Sequence, residues 1–259
     1  ALERLQHQGD LPRVKALYIV SDFDNPRGVT TSAARRQAIM DIIFRWSDLR
    51  KIFVVEDAAY RELRYEGEDI PSIRSLDERG DTVVLAGTFS KSFSPGLRTG
   101  WGLVPKSLVP SVRSQKDNID FGSPNFSQQL LWQVIRQGRL DHHVQTLRDV
   151  YRAKRDVMHA AMLELLAPDG LATWQLPDGG LYIWAEIPEP VDTGTKAGLF
   201  DLAIEEGMLY IPGEYFYPSR GVTPSRQRMR LSFGVQTASR IRTGIDALGR
   251  ALRRVCVRQ

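Results

Sequence analysis

At 259 residues, 42% hydrophobic and 25% charged, the chain has an ordinary globular composition, with enough apolar residues for one large or two modest cores; disordered and fibrous classes are excluded. No run reaches the roughly 18 to 20 apolar residues of a membrane span and no leader pattern opens the sequence, so a cytoplasmic setting is expected. One cysteine, Cys256, leaves no intramolecular disulfide framework, and the net charge of +4 is spread among interspersed Arg and Asp/Glu rather than gathered into a nucleic-acid-binding stretch.

In chain order, residues 1–10 are polar and helical in character without a start signal, and Ala16-Leu17-Tyr18-Ile19-Val20 reads as an apolar strand. Asp24-Asn25-Pro26-Arg27-Gly28 is a turn by composition. Thr30-Thr31-Ser32 then caps a helix predicted to place the apolar Ala38, Ile39, Ile42, Ile43 and Trp46 on one face. Lys51-Ile52-Phe53-Val54-Val55 is the next strand and delivers Glu56-Asp57 at its end, with Tyr60 three residues on. Thr82-Val83-Val84-Leu85-Ala86-Gly87 has the apolar, β-branched character of a buried strand, and it leads into Thr88-Phe89-Ser90-Lys91. Strand, helix, strand, connection and strand predict a right-handed parallel arrangement whose ends at Asn25, Asp57 and Lys91 open on the same edge.

Lys91 stands out by contrast. The chain has 35 basic residues of which seven are lysines, and the other six lie at element ends or beside other charges. Ligand clefts in open α/β sheets lie at the carboxyl ends of strands, and desolvation in such a cleft favours a free amine able to form a Schiff base. Arg98, seven residues on, adds a fixed cation, and with Thr88 and Ser90 makes a plausible phosphate cradle. Taken alone, the stretch also fits a surface lysine in a Ser/Pro/Gly turn. Asp57 likewise fits a capping carboxylate, Tyr60 a packed aromatic and Asn25 a turn former. A pyridoxal phosphate site needs an amine, a carboxylate to keep the ring nitrogen protonated and donors for the phenolic oxygen; Lys91, Asp57, and Tyr60 with Asn25 supply them.

The second half reads as helices over 107–120 and 125–139, then a long helix from His142 to about Leu166. The adjacent His142 and His143 diverge on a helix, so no metal site is expected. Short strands are predicted over 171–175, 181–186, 208–211 and 228–233, with helices over 197–206 and 238–254, making an α+β lobe. In Arg228-Met229-Arg230-Leu231-Ser232-Phe233, alternation sets both arginines on one face and Met229, Leu231 and Phe233 on the other.

Four motifs in order, Asn25-Pro26-x-Gly28, Glu56-Asp57-x-x-Tyr60-x-x-Leu63-x-Tyr65, Gly87-Thr88-Phe89-Ser90-Lys91 and Pro95-Gly96-Leu97-Arg98-x-Gly100-Trp101, resemble those of the class I/II aminotransferases of PLP fold type I. In pattern the chain is similar to the 2-aminoadipate or aromatic branch and to the aminotransferase-like domains of MocR regulators. The resemblance runs from about Tyr18 to the C-terminus and implies an α/β fold with a mostly parallel sheet between helices. It also implies a division into a PLP-binding large domain over 1–145 and a smaller α+β domain over 146–259. By motif position Lys91 would carry pyridoxal 5′-phosphate as the internal aldimine and shuttle the substrate proton. Asp57 would pair with the ring nitrogen, Asn25 and Tyr60 would bond the phenolic oxygen, and Thr88, Ser90 and Arg98 would hold the phosphate. Arg230, in an Arg-Leu-Ser-Phe setting, would clamp the substrate α-carboxylate, and Arg228 lies one pleat too early. Arg27 stands where the family has threonine.

The reaction implied is transfer of an α-amino group from an amino acid to a 2-oxo acid by a ping-pong cycle through pyridoxamine phosphate, in a homodimer. A C–S lyase or related PLP enzyme and the effector-binding domain of a MocR regulator are the alternatives. Family members carry well over a hundred further residues on the N-terminal side, so the large domain is expected to be incomplete in this sequence. Tyr18, Tyr182 and Phe216 do not choose among aromatic, branched and dicarboxylic substrates.

Overall fold

The computed structural model describes residues 1–257. They group into two compact units: residues 1–22 with 30–145, and residues 23–29 with those from 146 on.

In the first unit, α1 (Leu2–His7) precedes β1 (Ala16–Val20), and α2 (Ala33–Ser47) connects it to β2 (Phe53–Asp57). The N-cap of α2 is Ser32, whose hydroxyl accepts from Arg35 N at 3.3 Å, satisfying one of the free N–H groups of the first turn. β3 (Val83–Thr88) follows and runs without a loop into the single-turn α3 (Phe89–Ser92), and β4 (Gly100–Leu103) closes the sheet. The strand order is β1-β2-β3-β4, parallel for the first two pairings and antiparallel for the last. β4 is not apparent from sequence: Gly-Trp-Gly-Leu is short and half glycine, and its pairing with β3 is what forms it. The helices α4 (Val109–Asp120) and α5 (Asn125–Arg136) follow, and α6 (Arg139–Leu165) begins in this unit and continues into the second.

The core between α2 and the sheet is built from Met40, Ile43, Ile52, Val54, Ile73 and Val83. This corrects the predicted face of α2. Arg36, Met40 and Ile43 are its buried residues, whereas Ala38 and Ile42 are exposed. A buried arginine is tolerated because it is fully paired: Arg36 Nη2 lies 2.8 Å from Asp22 and Nη1 lies 3.8 Å from Glu56, with all three side chains at most 2% exposed. Glu56 in turn accepts from Ser21 Oγ (2.7 Å), Ile73 N (2.9 Å) and Arg74 N (3.0 Å), so this network ties β1, β2 and α2 to the 3-10 turn Ile73–Leu76.

The second unit contains β5 (Thr173–Trp174), β6 (Tyr182–Glu186), α7 (Gly198–Glu205), β7 (Ile211–Pro212), β8 (Arg228–Ser232) and α8 (Ala238–Val257). Its sheet is antiparallel in the order β5-β6-β8-β7. The strand expected over 208–211 shrinks to Ile211–Pro212, because residues 207 and 208 fold back on the end of α7 through Gly207 N to Ile204 O (2.9 Å) and Met208 N to Ala203 O (2.8 Å). Met229, Leu231 and Phe233 are buried at 1% exposure or less, as alternation requires. On α8, Ile241, Ile245, Leu248 and Leu252 make one buried stripe at spacings of three and four. Its outer face is occupied by ion pairs: Arg250 and Arg254 each lie 2.7 Å from Glu206, and Arg253 lies 2.8 Å from Asp169. Among the described residues no helix is long and apolar enough to cross a membrane.

Candidate active site

Six of the residues singled out from sequence lie at the carboxyl ends of the parallel strands of the first unit or in the turns that follow them. In register, Val20 faces Asp57 and Asp57 faces Ala86, so β1 and β2 end level with each other and β3 runs two residues further to Thr88 on the same edge. Beyond Asp57 the pairing with β3 continues for one more bond, Ala58 N donating to Ala86 O at 2.8 Å, before the chain turns at 59–60, and Tyr60 is buried at the head of the 3-10 turn Arg61–Leu63.

Lys91 is half-buried in α3, immediately beyond β3. Thr88 caps that turn by accepting from Ser90 N at 3.1 Å, which fixes the direction in which the chain leaves the strand. The segment carrying Arg98 doubles back onto the same place. Phe89 N donates to Thr99 O (3.1 Å), and Thr88 faces Gly100 in the β3–β4 register. Arg98 itself has left-handed backbone (φ 49°), the bend that starts the return, and its guanidinium donates to Pro95 O at 3.1 Å.

Asp57 is held on both oxygens. Oδ1 accepts from Ala59 N at 2.9 Å and Oδ2 from the Tyr18 hydroxyl at 2.6 Å. Tyr18 is pushed up to about 12, first by partial burial of its hydroxyl and then by the bond to Asp57 and its charge. From sequence Tyr18 is only an ambiguous pocket residue; the signal available is its place two residues before a strand end that faces Asp57. His143, by contrast, packs edge-on against Phe93 with ring centroids 5.0 Å apart.

Asn25 and Arg230 lie together in the second unit. Arg230, in the middle of β8 between Trp184 and Ile211, donates from Nη1 to Asn25 Oδ1 at 2.7 Å. Its guanidinium carbon sits 4.2 Å from the Tyr182 ring centroid and 5.0 Å from that of Phe216, and its Nε is buried without a partner. The bond to Arg230 uses the carbonyl of the Asn25 side chain and leaves its NH2 as a donor. Asp24 braces the turn around Asn25 through Val29 N (3.0 Å) and through Arg27 Nη2 (2.7 Å), so the arginine that departs from the family's threonine is spent on the turn itself. Glycine is required twice here. Gly28 (φ 68°) leaves no room for a Cβ, which would lie 3.0 Å from Pro177 and from Tyr182 O, and a Cβ on Gly180 (φ 76°) would lie 2.8 Å from that of Phe23. These contacts seat segment 23–29 on the loop before β6. Arg228, by contrast, pairs with Glu186 at 3.3 Å at the start of the strand.

Comparison with known proteins places this geometry. Residues 1–248 match the family described as aminotransferase class I and II. The chain is 34% identical over 252 residues to aromatic-amino-acid aminotransferase 1 of Thermococcus litoralis, covering 97% of this chain and 57% of that protein. It is 31% identical over 252 residues to YisV of Bacillus subtilis, named an uncharacterised HTH-type transcriptional regulator, covering 97% of this chain and 48% of that protein. The crystal structure of the α-aminoadipate aminotransferase of Thermus thermophilus, complexed with N-(5′-phosphopyridoxyl)-L-leucine, superposes with a TM-score of 0.86 at 28% identity, over all of this chain and 64% of that one. The chain thus spans between about half and two thirds of the length of these relatives.

Proposed function

The chain belongs to the class I and II aminotransferase family, and on that premise we propose that it moves an α-amino group from an amino acid to a 2-oxo acid by a ping-pong cycle, in the cytoplasm and as a homodimer. Its fold is the α/β arrangement of PLP fold type I, and family membership implies pyridoxal 5′-phosphate as cofactor. The residues present fit that group: an amine at a strand end, a carboxylate fixed by two donors on the neighbouring strand, and two hydroxyls at the end of β3 beside the returning segment that carries Arg98. Bound, the cofactor supplies an electron sink for charge developing at the substrate Cα.

In this reading Lys91 carries the cofactor and then moves the proton at the substrate Cα. Asp57, its carboxyl held by Tyr18 and Ala59, would keep a proton on the ring nitrogen. Tyr60 and the Asn25 NH2 donate to the phenolic oxygen. Thr88, Ser90 and Arg98 hold the phosphate. Arg230 binds the substrate carboxylate, which orients the Cα–H bond for cleavage. Its stacking on Tyr182 and Phe216 holds the guanidinium plane without consuming N–H donors.

The observation that carries the proposal is the shared edge of β1, β2 and β3, where Asp57 and the turn bearing Lys91 leave adjacent strands. The test is the visible absorption of the chain with pyridoxal phosphate beside its Lys91→Ala variant, before and after a mixture of amino acids. We expect a band that requires Lys91 and is bleached by amino donors, and a loss of amino transfer of about a thousandfold or more in the variant. A folded chain with no such band overturns the proposal. The likeness to YisV supports a second reading, an aminotransferase-like effector-binding domain of a regulator. That reading predicts cofactor uptake and an amino-acid response without turnover to a second oxo acid.

A further inference from the structure

The assignments above give Tyr18 no task, yet its hydroxyl makes a short, directed bond to the most consequential carboxylate of the first unit. Side chains alternate along a strand, so Tyr18 shares a face with Val20, and Val20 is the residue in register with Asp57. A long side chain leaning along β1 from position 18 therefore arrives at the end of β2, where its hydroxyl meets Asp57 Oδ2 at 2.6 Å. That is the distance of a charge-assisted O–H to carboxylate bond. The Ala59 amide occupies the other oxygen at 2.9 Å, so the plane of the carboxyl group is pinned from both sides.

We infer that Tyr18 is a positioning residue of the site: its hydroxyl fixes the plane of the Asp57 carboxylate and holds it as the anion, so that the proton shared with the cofactor's ring nitrogen stays on nitrogen. The inference rests on the assignment of Asp57 to that nitrogen. A donor to the carboxylate stabilises the ion pair of protonated nitrogen and carboxylate over the neutral pair in which the acid keeps the proton. The exchange is reciprocal. Asp57 helps push the Tyr18 phenol up to about 12, behind partial burial as the first cause, so the phenol remains a donor near neutral pH and does not compete for the shared proton.

Tyr18→Phe removes the hydroxyl and keeps the exposed ring. With cofactor labelled with 15N at the ring nitrogen, the resonance of the loaded wild-type chain should be that of a protonated pyridine, and Tyr18→Phe should move it toward the unprotonated value. Without cofactor, the absorbance difference between wild type and Tyr18→Phe should show one phenol titrating near 12 rather than at the ordinary 10.0, and Asp57→Asn should bring it back down. A nitrogen resonance unmoved in Tyr18→Phe, or a Tyr18 phenol titrating at its ordinary value, overturns the inference. A wild-type chain that takes up no cofactor overturns the functional proposal instead, and the response of the phenol titration to Asp57→Asn still decides whether Tyr18 holds Asp57.

Discussion

Arg36 is fully buried and Arg230 half-buried, and the difference that bears on function lies in where their donors go. Arg36 spends all five N–H groups within the first unit: Nε on Thr31 O, Nη1 on Ile70 O and Pro71 O, and Nη2 on Ser21 O and Asp22. Arg230 donates from Nη1 to Asn25, rests on two aromatic rings, and leaves its Nε without a partner. An arginine with every donor engaged can only hold the fold together. One supported on ring faces keeps donors for an incoming carboxylate. Counting donors shows what each arginine is free to do, which charge does not.

The sharpest way to break this contrast is to remove each guanidinium in turn. Arg36→Met takes the buried cation from Glu56 and leaves Asp22 with Arg64 alone at 3.3 Å, and should cost about 3 to 5 kcal/mol in denaturant unfolding. Arg230→Met should change stability by less than about 1 kcal/mol. It should instead lower kcat/KM for amino acids about a hundredfold, the worth of a charge-assisted pair to a carboxylate. Equal stability losses in the two variants would show that donor accounting does not discriminate.

The smallest expected effect comes from the outer face of α8. Bonds from Arg250 and Arg254 hold the carboxyl of Glu206 below the ordinary carboxylate range. A carboxylate depressed on folding stabilises the native state above its unfolded pKa, and that contribution fades as pH falls through the folded value. Melting curves of wild type and Glu206→Gln should therefore differ slightly near neutral pH and converge in acid. Because these groups are solvated, added salt should narrow the gap as well.

Much of the first unit's edge is legible in sequence because its residues follow strands whose apolar runs are unmistakable. Asp57, Thr88, Ser90 and Lys91 end up where strand ends put them. Arg230 is legible from alternation, since Met229 and Leu231 have to face inward. The buried face of α2 is not, because Arg36 looks like a solvated residue until Asp22 and Glu56 are known to converge on it from two strand ends. Sequence pattern sets Asn25 on the same edge as Asp57 and Lys91, whereas segment 23–29 groups with the second unit, where its partner lies 205 residues away. Local patterns carry no information about a contact at that separation. Tyr18 escapes for a related reason: its partner sits on the next strand, and neither residue alone advertises the pairing.

The placement of segment 23–29 also bears on how such a chain can be recombined. The second unit is not a contiguous stretch of sequence, for it borrows 23–29 from deep within the first. A chimera joined between 145 and 146 would take Arg230 from one parent and Asn25 from the other, along with the Phe23–Gly180 and Gly28–Pro177 fits that seat the turn. For the Asn25–Arg230 pair to be inherited intact, segment 23–29 has to travel with the rest of the second unit, and shuffling experiments that ignore it will misattribute the loss to the lobe they exchanged.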